Sequence, residues 1–422
     1  MSSAAEPLPG TSDLWEPELF DWIALEGAAR DIFHRYGYLE LRTPVIERAE
    51  VFTHNLGEAT DVVQKEMYAF EDRGGRHLAL RPEGTAGVIR AIANSGLEQG
   101  DERRVFYFGP MFRGERPAAG RRRQFHQIGV EAVGSNSPWM DAECIAMLMH
   151  YLDAVGAGGG RLLINTRGLP ADRPVIAGAL AEYFAPHVGH MCEDCQRRFS
   201  TNVSRMLDCK SPACQEIIEG APRISSLMCD ESRAYFDAVC SALSDLGVEY
   251  EVVPRLVRGL DYYVHTVFEV THPGLGGADA LAGGGRYRIS PPGMKGMLEG
   301  IGFACGMERL LMARAFNSVA AQGTTNADVM IVCLGQNAVP HGLKLAQSLR
   351  RSLPGLRIRA DFSARSMKAQ MRSANRCGAS RVLIIGDDEI ARGVVICKDM
   401  ADSSQETLGM DEVAGRLAGS RD

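Results

Sequence analysis

The stretch Phe112-Arg113-Gly114-Glu115-Arg116-Pro117-Ala118-Ala119-Gly120-Arg121-Arg122-Arg123-Gln124-Phe125-His126-Gln127-Ile128-Gly129-Val130-Glu131 decides how the chain is read. Strand-like segments flank it, Val105–Phe108 before and Gln127–Val133 after, so it reads as a hairpin with a long loop. That loop is almost all arginine, proline, glycine and alanine. An arginine at a strand end, here Arg113, offers a planar fork for a phosphate. Phe125, on the returning strand, is placed to stack on a purine base. A basic loop with nothing bound has the same composition, so the stretch alone leaves both readings open.

Charge is unevenly spread around it. The 422 residues carry a net charge of −7, yet Arg103 to Arg123 holds seven arginines against the single acid Glu115. Lys344 to Arg381 holds ten Lys and Arg against Asp361 alone. Two basic zones on an acidic chain mark two places for a polyanion, or two solvated faces. The length predicts two or three domains. Apolar residues at 45% and charged residues at 23% exclude wholesale disorder and a small disulfide-stapled scaffold. No apolar run reaches the roughly 18 residues of a membrane span. The opening Met1-Ser2-Ser3, followed by Glu6, Asp13, Glu16 and Glu18, does not read as a signal peptide. Eleven scattered cysteines fit reduced thiols and a cytoplasmic setting.

A polar stretch at Ala321–Asn326 predicts a domain boundary. Beyond it, strands are expected at Val329–Leu334, Leu356–Ala360, Arg381–Ile385 and Val394–Lys398, and helices at His341–Leu353 and Ser363–Arg376. This alternation predicts an α/β domain over 326–422 with a largely parallel sheet. In its second helix Met367, Met371 and Ala374 are expected to face inward, with Arg365, Lys368, Arg372 and Arg376 as a cationic stripe opposite. Residues 1–325 lack regular alternation and read as α+β, built on an antiparallel sheet flanked by helices. A helical insertion is expected at about 169–248.

That insertion holds Cys192-x2-Cys195 and, thirteen residues on, Cys209-x4-Cys214. The spacing suits a tetrahedral structural zinc, and it suits four buried apolar thiols as well. At this point no metal is assigned.

The motifs also resemble a known family. Phe112-Arg113-x-Glu115 with Phe125 resembles motif 2 of the class II aminoacyl-tRNA synthetases. Gly302-Phe303-Ala304-Cys305-Gly306-Met307-Glu308-Arg309-Leu310 resembles motif 3, and Gly37-Tyr38 through Thr43-Pro44 with Glu47 resembles motif 1. Leu256-Val257-Arg258-Gly259-Leu260-Asp261-Tyr262-Tyr263 and Gly284-Gly285-Arg286-Tyr287 are similar to the two signatures of the histidyl-tRNA synthetases. So are Leu80-Arg81-Pro82-Glu83-Gly84-Thr85-Ala86 and Gly10-Thr11-Ser12-Asp13, while Ala379 to Lys398 resembles that family's anticodon-binding domain.

The resemblance implies a class II catalytic domain over 1–325 and an α/β anticodon-binding domain over 326–422. It implies a ligase that joins L-histidine and ATP, taken with Mg2+, into histidyl-adenylate and pyrophosphate, then charges tRNA(His). Arg113, Arg258 and Arg309 would hold the phosphates, with Phe125 stacked on adenine and Glu115 near its amino group. Glu83, Thr85 and Gln127 would take the substrate ammonium. Glu131 and Tyr263 would meet the two imidazole nitrogens, with Tyr262 or Tyr287 as an aromatic wall. Motif 1 implies a homodimer, and no membrane partner is expected.

Two features depart from the family pattern. Arg288 stands where an acid is usual, beside the expected histidine pocket, and Ala118-Ala119 stand where a polar residue is often found. Two other functions share parts of the pattern. A non-catalytic histidine-sensing or regulatory relative commonly lacks the tail or the ATP-binding arginines, and both are present here. A synthetase for proline, threonine or glycine would not need Glu131 or the Arg258–Tyr263 stretch.

Overall fold

The computed structural model describes residues 6–57, 60, 62–96, 101–276, 280–291, 293, 296–319 and 327–419, and the structural statements below concern those residues. Met1–Ser3 and the stretch Ala321–Asn326 lie outside them. The chain divides into two compact units, Met1–Gln322 and Gly323–Asp422.

The first unit has eleven described strands: β1 Leu39–Glu40, β2 Ile46–Arg48, β3 Ala69–Glu71, β4 His77–Leu80, β5 Arg103–Phe112, β6 Gln124–Val133, β7 Arg161–Thr166, β8 Glu251–Val252, β9 Tyr263–Thr271, β10 Ala280–Ile289 and β11 Leu298–Gly306. Eight of them form one sheet in the order β1-β5-β6-β11-β10-β9-β7-β8. Its central pairings are antiparallel, and only the short edge strands β1 and β8 pair in parallel. The hairpin read from the sequence is β5–β6, paired from Arg103↔Val133 to Phe112↔Gln124.

Side-chain alternation gives this sheet two unlike faces. Phe106, Ile128, Val130, Ile301, Phe303 and Cys305 point into the main core against the helices Glu18–Arg35 and Pro138–Ala154. The second of these starts where Ser137 Oγ accepts from Trp139 N–H and Pro138 supplies a helix-compatible φ. Its buried stripe Asp141, Cys144, Ile145, Leu148, Tyr151 and Leu152 follows the helical period. The other sheet face carries a smaller core with Tyr107, Tyr262, Tyr263, Val267 and Tyr287, roofed by the helices Glu50–Leu56 and Thr85–Asn94 and by a small antiparallel sheet, β2-β4-β3.

Between β7 and β8 the chain runs through the helices Arg173–Phe184, Glu193–Thr201, Pro212–Glu219 and Asp230–Asp245. The first three, with the 3-10 segments between them, enclose a separate apolar cluster that includes Ile176, Leu180, Phe184, Met206, Leu207 and Ile218.

The second unit is a five-stranded sheet: β12 Val329–Cys333, β13 Ile358–Asp361, β14 Arg381–Ile385, β15 Val394–Asp399 and β16 Gln405–Gly409, in the order β13-β12-β14-β15-β16. The first three are parallel, joined through the helices Ala338–Ser352 and Met367–Arg376, but β14-β15-β16 are antiparallel. The expectation of a largely parallel sheet is therefore corrected. A helix of six residues, Asp387–Arg392, and a tight turn link the last strands, too little chain for a parallel crossover. Helix Met367–Arg376 buries the expected face only in part, with Ala374 buried and Met371 packed partly buried against the core. Gln370 and Ala374 are its buried residues and Met367 is exposed. Gln370 reaches the neighbouring strand, taking the Cys333 N–H on Oε1 at 3.0 Å and giving Nε2–H to the Cys333 carbonyl at 2.7 Å. Arg365, Lys368, Arg372 and Arg376 all remain exposed.

Candidate active site

The floor of the site is the second face of β5, β6, β11, β10 and β9. Along β6 the period of two puts Phe125, Gln127, Gly129 and Glu131 on this face, while Ile128, Val130 and Ala132 go to the core. Gly302 lies opposite Glu131, Ala304 opposite Gly129, and Gly283 opposite both Ala304 and Glu269. Small residues at these crossings open the space above the strands. A Cβ on Gly302 would stand 2.1 Å from Glu131 Oε2, so only glycine allows the carboxyl to lie there.

Two adjoining cavities lie on this floor, and both are lined by Arg113, Gln127, Arg258, Gly283 and Ala304. The outer one, of about 160 Å³, is also lined by Glu115, Arg121, Phe125, Glu308 and Arg309. Arg113 follows β5, donates from Nε to the Pro82 carbonyl at 2.9 Å, and sets its guanidinium 5.2 Å from the Phe125 ring centre. Arg309, in the first turn of helix Met307–Phe316, donates to the carbonyls of Gly120 at 3.0 Å and Ala280 at 2.5 Å. These carbonyls hold the two guanidinium planes in place. Arg258 enters from the opposite side, from the loop before β9, and is paired at 2.6 Å with Glu269 on that strand. Glu308, which precedes Arg309 in the chain, accepts the backbone N–H of His126 on both carboxylate oxygens. With Arg121 and Arg122 also in its lining, the cavity thus presents five guanidinium groups and one aromatic face, a set of groups suited to a polyphosphate and a base.

The inner cavity, of about 90 Å³, is lined by Glu83, Thr85, Glu131, Tyr262, Tyr263 and Tyr287, with Tyr107 and Leu260. Glu83 opens helix Thr85–Asn94: its two carboxylate oxygens take the N–H groups of Thr85 and Ala86, each at 2.8 Å. The helix-start role and the cavity-lining position coincide in this one residue, whose burial raises the carboxyl pKa against those two bonds. Thr85 Oγ1 donates to Glu131 Oε1 at 2.7 Å. Glu131 Oε2, Gln127 Oε1 and Tyr287 OH are buried without a hydrogen-bond partner. Burial pushes the Glu131 carboxyl up to about 8, with the nearby Glu83 adding to the effect and the Thr85 and Tyr287 hydroxyls opposing it. The rings of Tyr262 and Tyr263 lie 4.7 Å apart, and Tyr287 meets Tyr262 edge-on at 5.9 Å. Unpaired buried acceptors at the end of an aromatic slot call for a ligand that donates N–H groups.

Every site residue expected from the sequence lines one of the two cavities: Arg113, Glu115, Phe125, Arg258 and Arg309 the outer one, and Glu83, Thr85, Glu131, Tyr262, Tyr263 and Tyr287 the inner one, with Gln127 between. Tyr107 and Glu269 were missed. Tyr107 was legible from the strand period, six residues before Arg113 on the same face; Glu269 needed the register that sets it beside Gly283. Arg288, the reversed charge, lies directly across from Glu299 on β11 and pairs with it at 3.1 Å. Alternation points it away from Tyr287 and the cavity. Arg286 is also absent from both cavities. It is buried, bonded to Asp141 at 2.6 and 3.0 Å and to the carbonyls of Ser135 and Ser137.

A family model for histidyl-tRNA synthetase matches residues 10–172, and one for an anticodon-binding domain matches 328–419. A histidine–tRNA ligase of Oleidesulfovibrio alaskensis is 44% identical over 419 residues, covering 99% of this chain and 100% of its own length. The chain belongs to the histidyl-tRNA synthetase family. Another member, from Solibacter usitatus, is 46% identical over 97% of each chain. Among solved structures, the apo histidyl-tRNA synthetase of S. aureus superposes with a TM-score of 0.79 at 34% identity, covering 97% of this chain and 99% of that one. The mixed α+β architecture, with its antiparallel main sheet and separate tail sheet, is thus that of a histidyl-tRNA synthetase.

Proposed function

We propose that the joined cavities activate L-histidine with ATP, taken as its magnesium complex, and pass the histidyl group to the 3′ end of tRNA(His). The chain is in this reading a histidine–tRNA ligase. The observation that carries it is the continuity of the two cavities: phosphate-binding guanidinium groups on one side of Gln127, unpaired acceptors in an aromatic slot on the other.

In the first step a carboxylate oxygen of histidine attacks the α-phosphorus and pyrophosphate leaves. The attacking group is already ionised at neutral pH, so no general base is needed. Rate then comes from alignment and from charge placed where the transition state develops it. Arg113 and Arg258 approach the α-phosphate from opposite sides, Arg309 takes the γ-phosphate, Phe125 stacks on adenine and Glu115 sits by the adenine amino group. In the inner cavity Glu83, Thr85 and Gln127 accept from the substrate ammonium. Glu131 Oε2 accepts one imidazole N–H, the Tyr263 hydroxyl meets the other ring nitrogen, and Tyr262 and Tyr287 exclude water. A pocket that bonds both ring nitrogens rejects amino acids lacking them, because its own buried groups are then left unpaired.

The domain reading continues from the sequence: residues 1–325 as the catalytic domain, with the segment at about 169–248 as an insertion, and 326–422 as the anticodon-binding domain. The exposed stripe Arg365, Lys368, Arg372 and Arg376 is the surface for tRNA. A homodimer is supported by exposed Leu39 and Ile46, on β1 at the sheet edge and on β2, in the stretch that resembles motif 1. The cytoplasm is the expected compartment. No described helix is long and apolar enough to cross a membrane.

Pyrophosphate exchange with each of the twenty amino acids tests the reading. Exchange with histidine alone is expected. Strongest exchange with another amino acid overturns the specificity, and no exchange at all with measurable histidine binding favours a non-catalytic histidine sensor.

A further inference from the structure

The insertion contains a second constellation that the proposed reaction does not use. Between its longer helices Arg173–Phe184 and Asp230–Asp245 the chain is in short pieces, helices of 9 and 8 residues and 3-10 segments, around an apolar cluster set apart from the main core. So small a core needs an additional constraint to hold one conformation. Four thiols meet inside it. Cys192 stands at the N-cap position of helix Glu193–Thr201 and Cys195 lies in its first turn. Cys209 ends the 3-10 segment Val203–Asp208, and Cys214 lies in the first turn of helix Pro212–Glu219.

The four sulfur atoms lie within 4.8 Å of one another, with Cys192 and Cys209 3.6 Å apart. A tetrahedral ion with Zn–S bonds of about 2.3 Å requires sulfurs about 3.8 Å apart. A disulfide needs about 2.0 Å, and all eleven cysteines are free. Cys195 and Cys214 are fully buried, Cys209 nearly so and Cys192 half-buried. The backbone N–H of Cys192 donates to Cys214 Sγ at 3.3 Å, the kind of bond that supports a metal-bound thiolate. Thiols buried merely as apolar groups have no reason to converge. The other seven, such as Cys144, Cys305 and Cys333, form no such group among the described residues.

We propose that Cys192, Cys195, Cys209 and Cys214 bind one zinc ion as four thiolates. With all four positions filled by protein, no site remains for water or substrate, so the ion is structural. It ties the starts of two helices together and holds the turn between them. That turn, with Lys210 and Ser211, lines a cleft shared with Arg113, Arg258 and Arg309. The ion thereby fixes one wall of the approach to the nucleotide cavity.

The test uses the full-length protein produced in zinc-containing medium. Elemental analysis is expected to show about one zinc per chain, released when a mercurial titrates the thiols. Cobalt exchanged into the site is expected to show the visible bands of a tetrahedral tetrathiolate. Cys195→Ser should lose the metal and melt lower, Cys214→His should keep it, and Cys229→Ser, outside the cluster, should behave as the parent. If Cys195→Ser does not fold, zinc content and the cobalt spectrum of the parent still decide. A folded protein free of metal that gives no cobalt bands, a disulfide between Cys192 and Cys209, or iron in place of zinc would each overturn the proposal.

Discussion

Thr85 Oγ1 and Glu131 Oε1 are joined by a 2.7 Å hydrogen bond that crosses from the start of a helix to the middle of the sheet. It fixes the carboxyl rotamer through one oxygen and leaves the other, Oε2, buried and unpaired toward the inner cavity. The same helix start holds Glu83 through the N–H groups of Thr85 and Ala86. One helix N-terminus therefore positions two carboxyls, its own Glu83 and Glu131 from β6, in the lining of the small inner cavity. Removing the free acceptor should be costly. Above pH 8, where the Glu131 carboxyl is ionised, Glu131→Gln is expected to lower kcat/KM for histidine in pyrophosphate exchange by about ten- to a hundredfold, the equivalent of a charged hydrogen bond of about 1.5–3 kcal/mol. The KM for ATP should stay within about twofold. An unchanged histidine response would remove Glu131 from the pocket.

The pH dependence of stability follows from the same burial. An ordinary glutamate titrates near 4.3 in an unfolded chain, and folding pushes Glu131 up to about 8. Between those values the folded state holds a proton that the unfolded state has lost, so this residue makes stability fall as pH rises through the window. Glu131→Gln removes that term. Its stability relative to the parent, measured by urea denaturation without ligand, should therefore be more favourable at pH 8 than at pH 5. A difference that stays flat across this range would show that Glu131 is ionised throughout.

Gly283 is a direct handle on Arg258. A Cβ there would stand 2.5 Å from Arg258 Nη2 and 2.7 Å from Cζ. The obstructed atoms are the end of a flexible side chain, so Gly283→Ala should fold and instead displace the guanidinium from its place opposite Arg113. Adenylate formation is expected to drop at least tenfold, with the melting temperature nearly unchanged, because misplacing one charge in such a site costs heavily. Normal single-turnover adenylation would argue that Arg258 acts from another position.

Beneath the site, Asp141 and Arg286 form a fully buried pair, and Thr266 and Tyr235 also donate to Asp141 Oδ2. Asp141→Ala leaves the arginine charge uncompensated in the interior and should destabilise the protein by about 3–5 kcal/mol. Replacing both partners with apolar residues of similar volume should restore much of that loss. Equal denaturation midpoints for Asp141→Ala and the parent would contradict the structural role given to Arg286.

On the second unit, Lys368 and Arg372 lie on the exposed face opposite Gln370 and Ala374. Changing both to Glu should weaken tRNA binding and flatten its dependence on salt, since fewer phosphate counterions are released. Pyrophosphate exchange, which needs no tRNA, should be unaffected. Aminoacylation with an unaltered KM for tRNA would clear that face of any contact.

The sequence by itself carried the chemistry. The arginine-rich hairpin with Arg113 and Phe125 was legible because residue type and strand signals are local properties, whereas Gln127, Glu131 and the Arg258–Tyr263 stretch were placed only by the family resemblance. Residues whose place depends on register were not legible. Glu269 could be set beside Arg258, and Arg288 turned away from the cavity toward Glu299, only when β9, β10 and β11 were paired. The same holds for the tail sheet, whose last strands turned antiparallel because the linking chain is short, and for Gln370, a polar residue on an inward face satisfied by the Cys333 backbone. The four cysteines show the division most clearly. Spacing left a metal and a thiol-lined core equally open, and only the approach of two helix starts brought the sulfurs within 4.8 Å. Local pattern selects which side chains a segment offers; long-range packing selects which of them meet.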